Sequence, residues 1–137
     1  MKSRDTLVRL RKFEVDEKKQ KVGDLEIMIQ EFRRMADDLN RQVELEQQKA
    51  GVSDVNHYAY PTFAKAALQR RDNLIASLED LEAKLGEAQG ELADAFEALK
   101  KIEMLEERGM AADRFGREQI EQRDLDEFAS HRHLENR

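Results

Sequence analysis

Apolar residues recur along two stretches of the chain at spacings that alternate between three and four residues. This spacing averages 3.5 residues, which is typical of a helix that buries a narrow stripe in a coiled coil. A stripe of this width is stable only when a second helix covers it. In the second stretch the stripe consists of Leu74, Leu78, Leu81, Leu85, Ala88, Leu92, Ala95, Leu99 and Ile102.

The first stretch has a similar stripe on a seven-residue repeat, made of Val8, Val15, Val22, Ile29, Ala36, Val43 and Ala50. The companion positions of this repeat are Leu25, Phe32 and Leu39 in the middle, and Arg11, Lys18 and Glu46 toward the ends. We therefore predict that the first seam is best formed between residues 22 and 43.

Turn-forming residues separate the two stretches. Gly51 suits the position just after a helix, where a left-handed backbone is needed. Ser53, Asp54 and Asn56 favour turns. Pro61, the only proline, is suited to the first turn of a helix. Because this connection is short, we expect the two helices to lie side by side and antiparallel.

The predicted fold is thus all-α, an antiparallel two-helix coiled-coil hairpin in a single domain. We place its first helix at residues 3–50, its tip at 51–60 and its second helix at 61–105. The paired part would be about 70 Å long at 1.5 Å per residue. After Leu105 the seam pattern fails, although the composition still favours helix. Residues 106–137 are expected to form a helical, less ordered C-terminal overhang.

Two registers of the hairpin, seven residues apart, fit these seams. One places Glu46 near Arg71 and Arg11 near Glu106. The other leaves Arg11 and Lys18 facing leucines and joins the helices more directly at the tip. We favour the first, because opposite charges at seam positions help to select a register. Each exposed pair would contribute only about 0–1 kcal/mol.

The composition excludes several classes of function. With a net charge of −6, the chain has no global attraction to nucleic acid or to an anionic membrane. It has no cysteine, no phosphate-binding glycine loop and no apolar run of about 18 residues. His131 and His133 do not share a helix face, so they do not suggest a metal site. We predict no catalytic activity, cofactor, metal or membrane insertion.

Two groups of residues are candidates for docking to other proteins. The N-terminal group is Leu7, Arg9, Leu10, Arg11, Lys12 and Phe13, and the tip group is Tyr58, Tyr60, Phe63, Arg70 and Arg71. Aromatic and arginine side chains are favoured anchors of binding surfaces. The ordinary alternatives are a solvated basic face that meets acids of the second helix, and an aromatic cluster that closes the hairpin end. Acidic residues interrupt the basic stretch, which disfavours a nucleic-acid-binding hairpin.

Three strings of the sequence resemble the FliJ family of flagellar type III export proteins. They are MKSRDTL at residues 1–7, RLRKFEVDEK at residues 9–18, and YPTFAKAA followed by QRRDNL between residues 60 and 74. The resemblance covers about residues 1–105. Heptads alone would carry little weight, since every coiled coil has them.

The resemblance implies a hairpin similar to the central stalk of rotary ATPases. Such a stalk would enter the pore of the hexameric flagellar export ATPase with its helix termini, from Arg4 to Lys21 and after Leu99. Its tip, from Leu39 to Arg71, would face the cytoplasmic domain of the export gate. The family also handles export chaperones. It would work in the cytoplasm, peripherally at the inner membrane at the flagellar base.

The alternative that needs no family relationship is a generic structural coiled coil, a homodimer or an adaptor whose seams pair between chains. Sedimentation would distinguish the two readings, since the hairpin is an elongated monomer and the alternative is a dimer.

Overall fold

The computed structural model describes the backbone of residues 2–135 and the side chains of residues 3–132. Over this range it contains two helices, α1 (Lys2–Ala50) and α2 (Thr62–Glu135), and no strand. The two helices pack against each other as an all-α hairpin, which confirms the predicted fold class. The second helix continues through Gly109 and Gly116 without a break, so the expected C-terminal overhang is helical as far as Glu135.

Two compact units make up the chain, and each is described by itself. The terminal unit comprises Met1–Phe13 and Phe96–Arg137, and the loop unit comprises Glu14–Ala95. The prediction of a single coiled-coil domain, with bounds at residues 50, 60 and 105, stays a prediction.

The core of the loop unit is the pair of seams that the sequence predicts. Its buried apolar side chains outside the loop region are Val15, Ile29 and Ala36 of α1, and Leu81, Ala88 and Ala95 of α2. All of them repeat at multiples of seven within their own helix, and the companion leucines are half-buried. The predicted seams are therefore the packed surfaces. Among the described side chains of the terminal unit, the buried apolar residue is Val8, which belongs to the same repeat.

A small cluster closes the hairpin next to the interhelical loop. Val43 of α1 packs with Tyr60, Ala64 and Ala67, and Leu39, Val52 and Leu68 lie around it. Small alanines at these positions of α2 let the two backbones approach closely beneath Val43. The hydroxyl of Tyr60 accepts a hydrogen bond of 2.9 Å from Nε2 of Gln47, which satisfies the polar end of a buried ring.

The ends of the two helices at the loop follow the predicted turn chemistry. Gly51 has a φ of 67°, the left-handed conformation that glycine adopts without steric cost, and α1 ends at the residue before it. Val52 then folds back onto the cluster. At the other side of the loop, the carbonyl oxygen of Pro61 accepts a bond of 3.1 Å from the amide of Lys65, the first of α2.

The favoured register is wrong, and the alternative register is the one observed. In the loop unit, Nη1 of Arg71 donates a hydrogen bond of 3.0 Å to Oδ1 of Asn40. Nζ of Lys18 lies 3.1 Å from Oε2 of Glu91 across the helix pair. Glu46, which the favoured register places near Arg71, instead has its Oε1 3.8 Å from Nζ of Lys49 in its own helix.

The terminal unit has the same register. Its Glu106 hydrogen-bonds Asp5, which lies six residues before the expected neighbour Arg11. The physical reason is that apolar packing at the closed end outweighs two exposed charge pairs, each worth about 0–1 kcal/mol.

Seam burial generates a direct test of the fold. Leu81→Asp should lower the free energy of unfolding by at least about 3 kcal/mol, because it places an unpaired carboxylate where the seam is buried. Thermal unfolding followed by circular dichroism measures the change.

Leu45→Asp is the matched control, since Leu45 is an exposed leucine of the same unit. Both variants replace a helical leucine by aspartate, so the loss of helix propensity is the same in each and cancels in the comparison. Equal destabilisation by the two variants would contradict the assigned seam.

Candidate functional site: two exposed surfaces

An apolar ridge on α1 marks the terminal unit. Leu7, Leu10 and Phe13 are spaced by three residues, so they follow one another along the helix surface. All three are exposed, and Phe13 keeps 60% of its surface in solvent. They lie beside the stripe of Val8, and they leave apolar area uncovered within their own unit. We call these three residues the terminal ridge.

The α2 part of the terminal unit adds further exposed apolar side chains. They are Phe96, Met104, Leu105, Met110, Phe115, Ile120, Leu125 and Phe128. None of these eight residues was among the sequence candidates, although the positions of Phe96, Met104 and Leu105 off the α2 seam signalled their exposure. Between residues 117 and 132 every side chain is exposed, because α2 has no α1 residue left to face.

The basic residues of the N-terminal group differ in exposure. Arg9 and Lys12 are exposed, whereas Arg11 occupies a seam position and is half-buried. Lys12 lies close enough to Glu106 to oppose the rise of that carboxyl's pKa. The expectation that cations of α1 meet acids of α2 therefore applies to Lys12 and Glu106.

A polar cluster joins the two helices of the terminal unit. The hydrogen bond to Asp5, together with partial burial and the charge of Asp5, raises the pKa of Glu106. Arg4 is half-buried, and its guanidinium occupies the space that a Cβ at Gly109 would need. The absence of a side chain at Gly109 thus makes room for a cross-helix side chain.

The tip candidates fall into an exposed and an internal group. Tyr58 is 96% exposed and stacks on the ring of His57, with centroids 4.6 Å apart and planes at 27°. Phe63 and Arg70 are also exposed. Tyr60 is buried in the loop cluster, and half-buried Arg71 is bonded to Asn40. We call Tyr58, Phe63 and Arg70 the tip surface.

Arg70 also lines a shallow groove in the loop unit. The groove has a volume of about 550 Å³, and its walls include Met35, Leu39 and Leu74. Met35 is half exposed, so the floor of the groove offers apolar area to solvent. Sequence reasoning did not single out Met35, because a methionine just outside a seam is common in helical pairs.

One cross-helix charge cluster stabilises the loop unit near its seam cation. Nζ of Lys18 and Nζ of Lys21 lie 3.1 and 3.3 Å from Oε2 of Glu91. Hydrogen bonds from these two lysines, Lys18 first, lower the pKa of Glu91. Lys18 can occupy a seam position because its long aliphatic side chain places the ammonium group beside the Glu91 carboxylate at the edge of the seam.

No group of three histidine, cysteine or carboxylate side chains in residues 3–132 is placed to hold a metal ion. His131 is exposed, and the side chain of His133 lies outside the described residues. No helix within residues 2–135 has an apolar run long enough to cross a membrane.

Comparison with known proteins gives one match. A family model described as "Flagellar FliJ protein" matches residues 1–137. No curated protein and no solved structure matches the chain significantly.

The raised pKa of Glu106 predicts a pH-dependent stability of the terminal unit. A raised pKa means that the folded state prefers the protonated carboxyl. The stabilisation that the protonated Glu106 carboxyl gives to the folded state is fully present below the ordinary pKa of a glutamate. It is lost as the pH rises through the raised pKa of Glu106. Glu106→Gln keeps a donor toward Asp5 and cannot ionise, so it should raise the melting temperature at pH 7. The gain should disappear in acid, where wild-type Glu106 is protonated.

Glu107→Gln is the control, because Glu107 is an exposed neighbour on the same helix. Melting curves of the three proteins at pH 7 and pH 4 measure the effect. A gain for Glu106→Gln that is equal at both pH values, or equal to that of the control, would contradict the assignment.

Proposed function

The chain belongs to the FliJ family of flagellar export proteins, and we propose that it acts as a non-catalytic stalk that couples the export ATPase ring to the export gate. In this proposal the terminal ridge docks in the ATPase hexamer, and the tip surface faces the cytoplasmic domain of the gate. The protein would also handle export chaperones. It would act in the cytoplasm, peripherally at the inner membrane at the flagellar base.

The observation that carries the proposal is the contrast between filled seams and uncovered surfaces. The seams are buried within one chain, so they are not available to partners. Each unit nevertheless exposes a separate apolar surface, Leu7 to Phe13 in one and Tyr58 with Phe63 in the other. Aromatic anchors with neighbouring arginines are typical of protein-binding sites.

The filled seams also disfavour the alternative of a homodimer paired along its seams. Such a dimer would need α1 of one chain to cover α2 of another, yet Arg71 and Asn40 already meet within one chain. Sedimentation equilibrium at micromolar concentration tests this directly. A monomer supports the stalk, and a dimer supports the generic coiled coil.

The ATPase contact can be tested with matched double variants. Leu10→Ala combined with Phe13→Ala should weaken binding to the purified export ATPase by about tenfold or more, since each truncated anchor costs about 1 kcal/mol or more. The same variant should lose its effect on ATPase hexamer formation and on ATP hydrolysis.

Ile27→Ala combined with Met28→Ala is the control for this test. It removes two exposed apolar side chains from the loop unit, and Ile27 has the same 60% exposure as Phe13. Binding should be unchanged in the control. Equal loss in both doubles, or no loss in the first, would count against the terminal ridge.

The gate contact requires a second experiment. Tyr58→Ala combined with Phe63→Ala should weaken binding to the cytoplasmic domain of the gate while ATPase binding persists. Tyr60→Phe is the control, because it changes a buried tyrosine and removes only the hydrogen bond from Gln47. Loss of gate binding in the control alone would reject the tip surface.

A further inference from the structure

The interhelical loop is organised around a single residue, His57. Its amide donates a hydrogen bond of 3.0 Å to the carbonyl oxygen of Asp54, and its own carbonyl oxygen accepts one of 3.1 Å from Tyr60. Its ring nitrogen Nδ1 accepts a bond of 3.0 Å from the amide of Ala59. His57 therefore connects the two successive turns of the loop through both its backbone and its side chain.

The bond to Nδ1 depends on the protonation state of the imidazole. A neutral imidazole has one donor and one acceptor nitrogen, so the observed bond places the proton on Nε2. Once the ring is protonated, both nitrogens are donors, and Nδ1 can no longer accept from Ala59. Histidine is the side chain that changes charge in the mildly acidic range. The bond is therefore available to the neutral ring and lost when the ring is protonated.

The same ring supports the most exposed aromatic residue of the chain. Tyr58 is 96% exposed, and the stacking on His57 is the ring contact that orients it. A rotation of the imidazole away from Ala59 would remove that support. The rearrangement would be confined to a few residues, because Tyr60 is fixed in the buried cluster immediately after them.

Few charged groups lie close to His57 along the chain. Apart from His57, Asp54 is the only acidic or basic residue between Gly51 and Pro61, and its Oδ1 already accepts a bond of 2.9 Å from the amide of Asn56. On the flanking helices, the nearest cations along the chain are Lys49, which pairs with Glu46, and exposed Lys65. His57 itself is exposed.

We propose that His57 is a protonation switch of the loop, in which the neutral ring holds the Ala59 amide and the Tyr58 ring in place and the protonated ring releases both. The switch is a property of the loop and does not depend on the identity of any partner. If the tip surface binds the export gate, as proposed above, the presentation of Tyr58 to the gate would be favoured while the His57 ring is neutral.

Nuclear magnetic resonance of the full chain between pH 8 and pH 5 tests the proposal. At pH 8 the imidazole ¹⁵N signals of His57 should show a proton on Nε2. On acidification, the Ala59 amide proton should shift with the same midpoint as the His57 ring, and ring-to-ring Overhauser contacts between His57 and Tyr58 should be lost. A proton on Nδ1 at pH 8, or ring contacts that persist unchanged at pH 5, would overturn the proposal.

His57→Asn is the matched control. Its side-chain oxygen can accept from the amide two residues ahead, and it does not titrate. The Ala59 amide should therefore keep one chemical shift from pH 8 to pH 5 in this variant. An equal shift of Ala59 in the variant and in the wild type would assign the transition to another group, such as Asp54, and would reject the switch. Circular dichroism confirms that both proteins keep the same helical fold.

Discussion

A narrow apolar stripe that only a second helix can cover is the constraint on which the rest of this structure depends. In most layers of the helix pair, the buried stripe of α1 is a single residue wide. Its members Ile29, Ala36 and Val43 are buried at seven-residue intervals. Because the chain turns back after Gly51, the second stripe is supplied by the same molecule. Burial of the seams uses nearly all of the regular apolar pattern. Most of the large apolar residues on the helices that lie outside it remain exposed to solvent.

This division of the apolar residues connects the fold to the proposed function. The apolar residues that the seams leave uncovered are available for recognition by other proteins. Within the terminal unit the exposed residues include Leu10 and Phe13, and within the loop unit they include Tyr58 and Phe63. Membership of the FliJ family gives these surfaces a biological setting in flagellar export.

The heptads predicted the fold because periodicity and burial are directly related in a helical pair. Residues such as Val15, Leu81 and Ala88 are buried as their positions in the repeat require. The register could not be derived in the same way, because a shift by seven residues preserves every apolar layer. The charge argument for Glu46 and Arg71 selected the wrong alternative, since exposed pairs contribute too little. Packing of Tyr60, Ala64 and Ala67 around Val43 determined the result.

The candidate surfaces were only partly predictable for a related reason. Residues on a helix have an orientation that the repeat determines, and so the exposure of Leu7, Leu10 and Phe13 followed from the pattern. Residues in a loop have no such periodicity. Tyr58 and Tyr60 are two positions apart and similar in chemistry, yet one is almost fully exposed and the other is buried. Their difference arises from the turns around His57, which no spacing rule predicts.

The central claim is that the two seams pair within one molecule and in the observed register. The chain contains no cysteine, so two can be introduced without side reactions. A protein carrying Asn40→Cys and Arg71→Cys, treated with a short bismaleimide, should give a cross-linked product with the mass of one chain. A protein carrying Glu46→Cys and Arg71→Cys should react much less. Cross-linked dimers from the first pair, or preferential reaction of the second, would contradict the account.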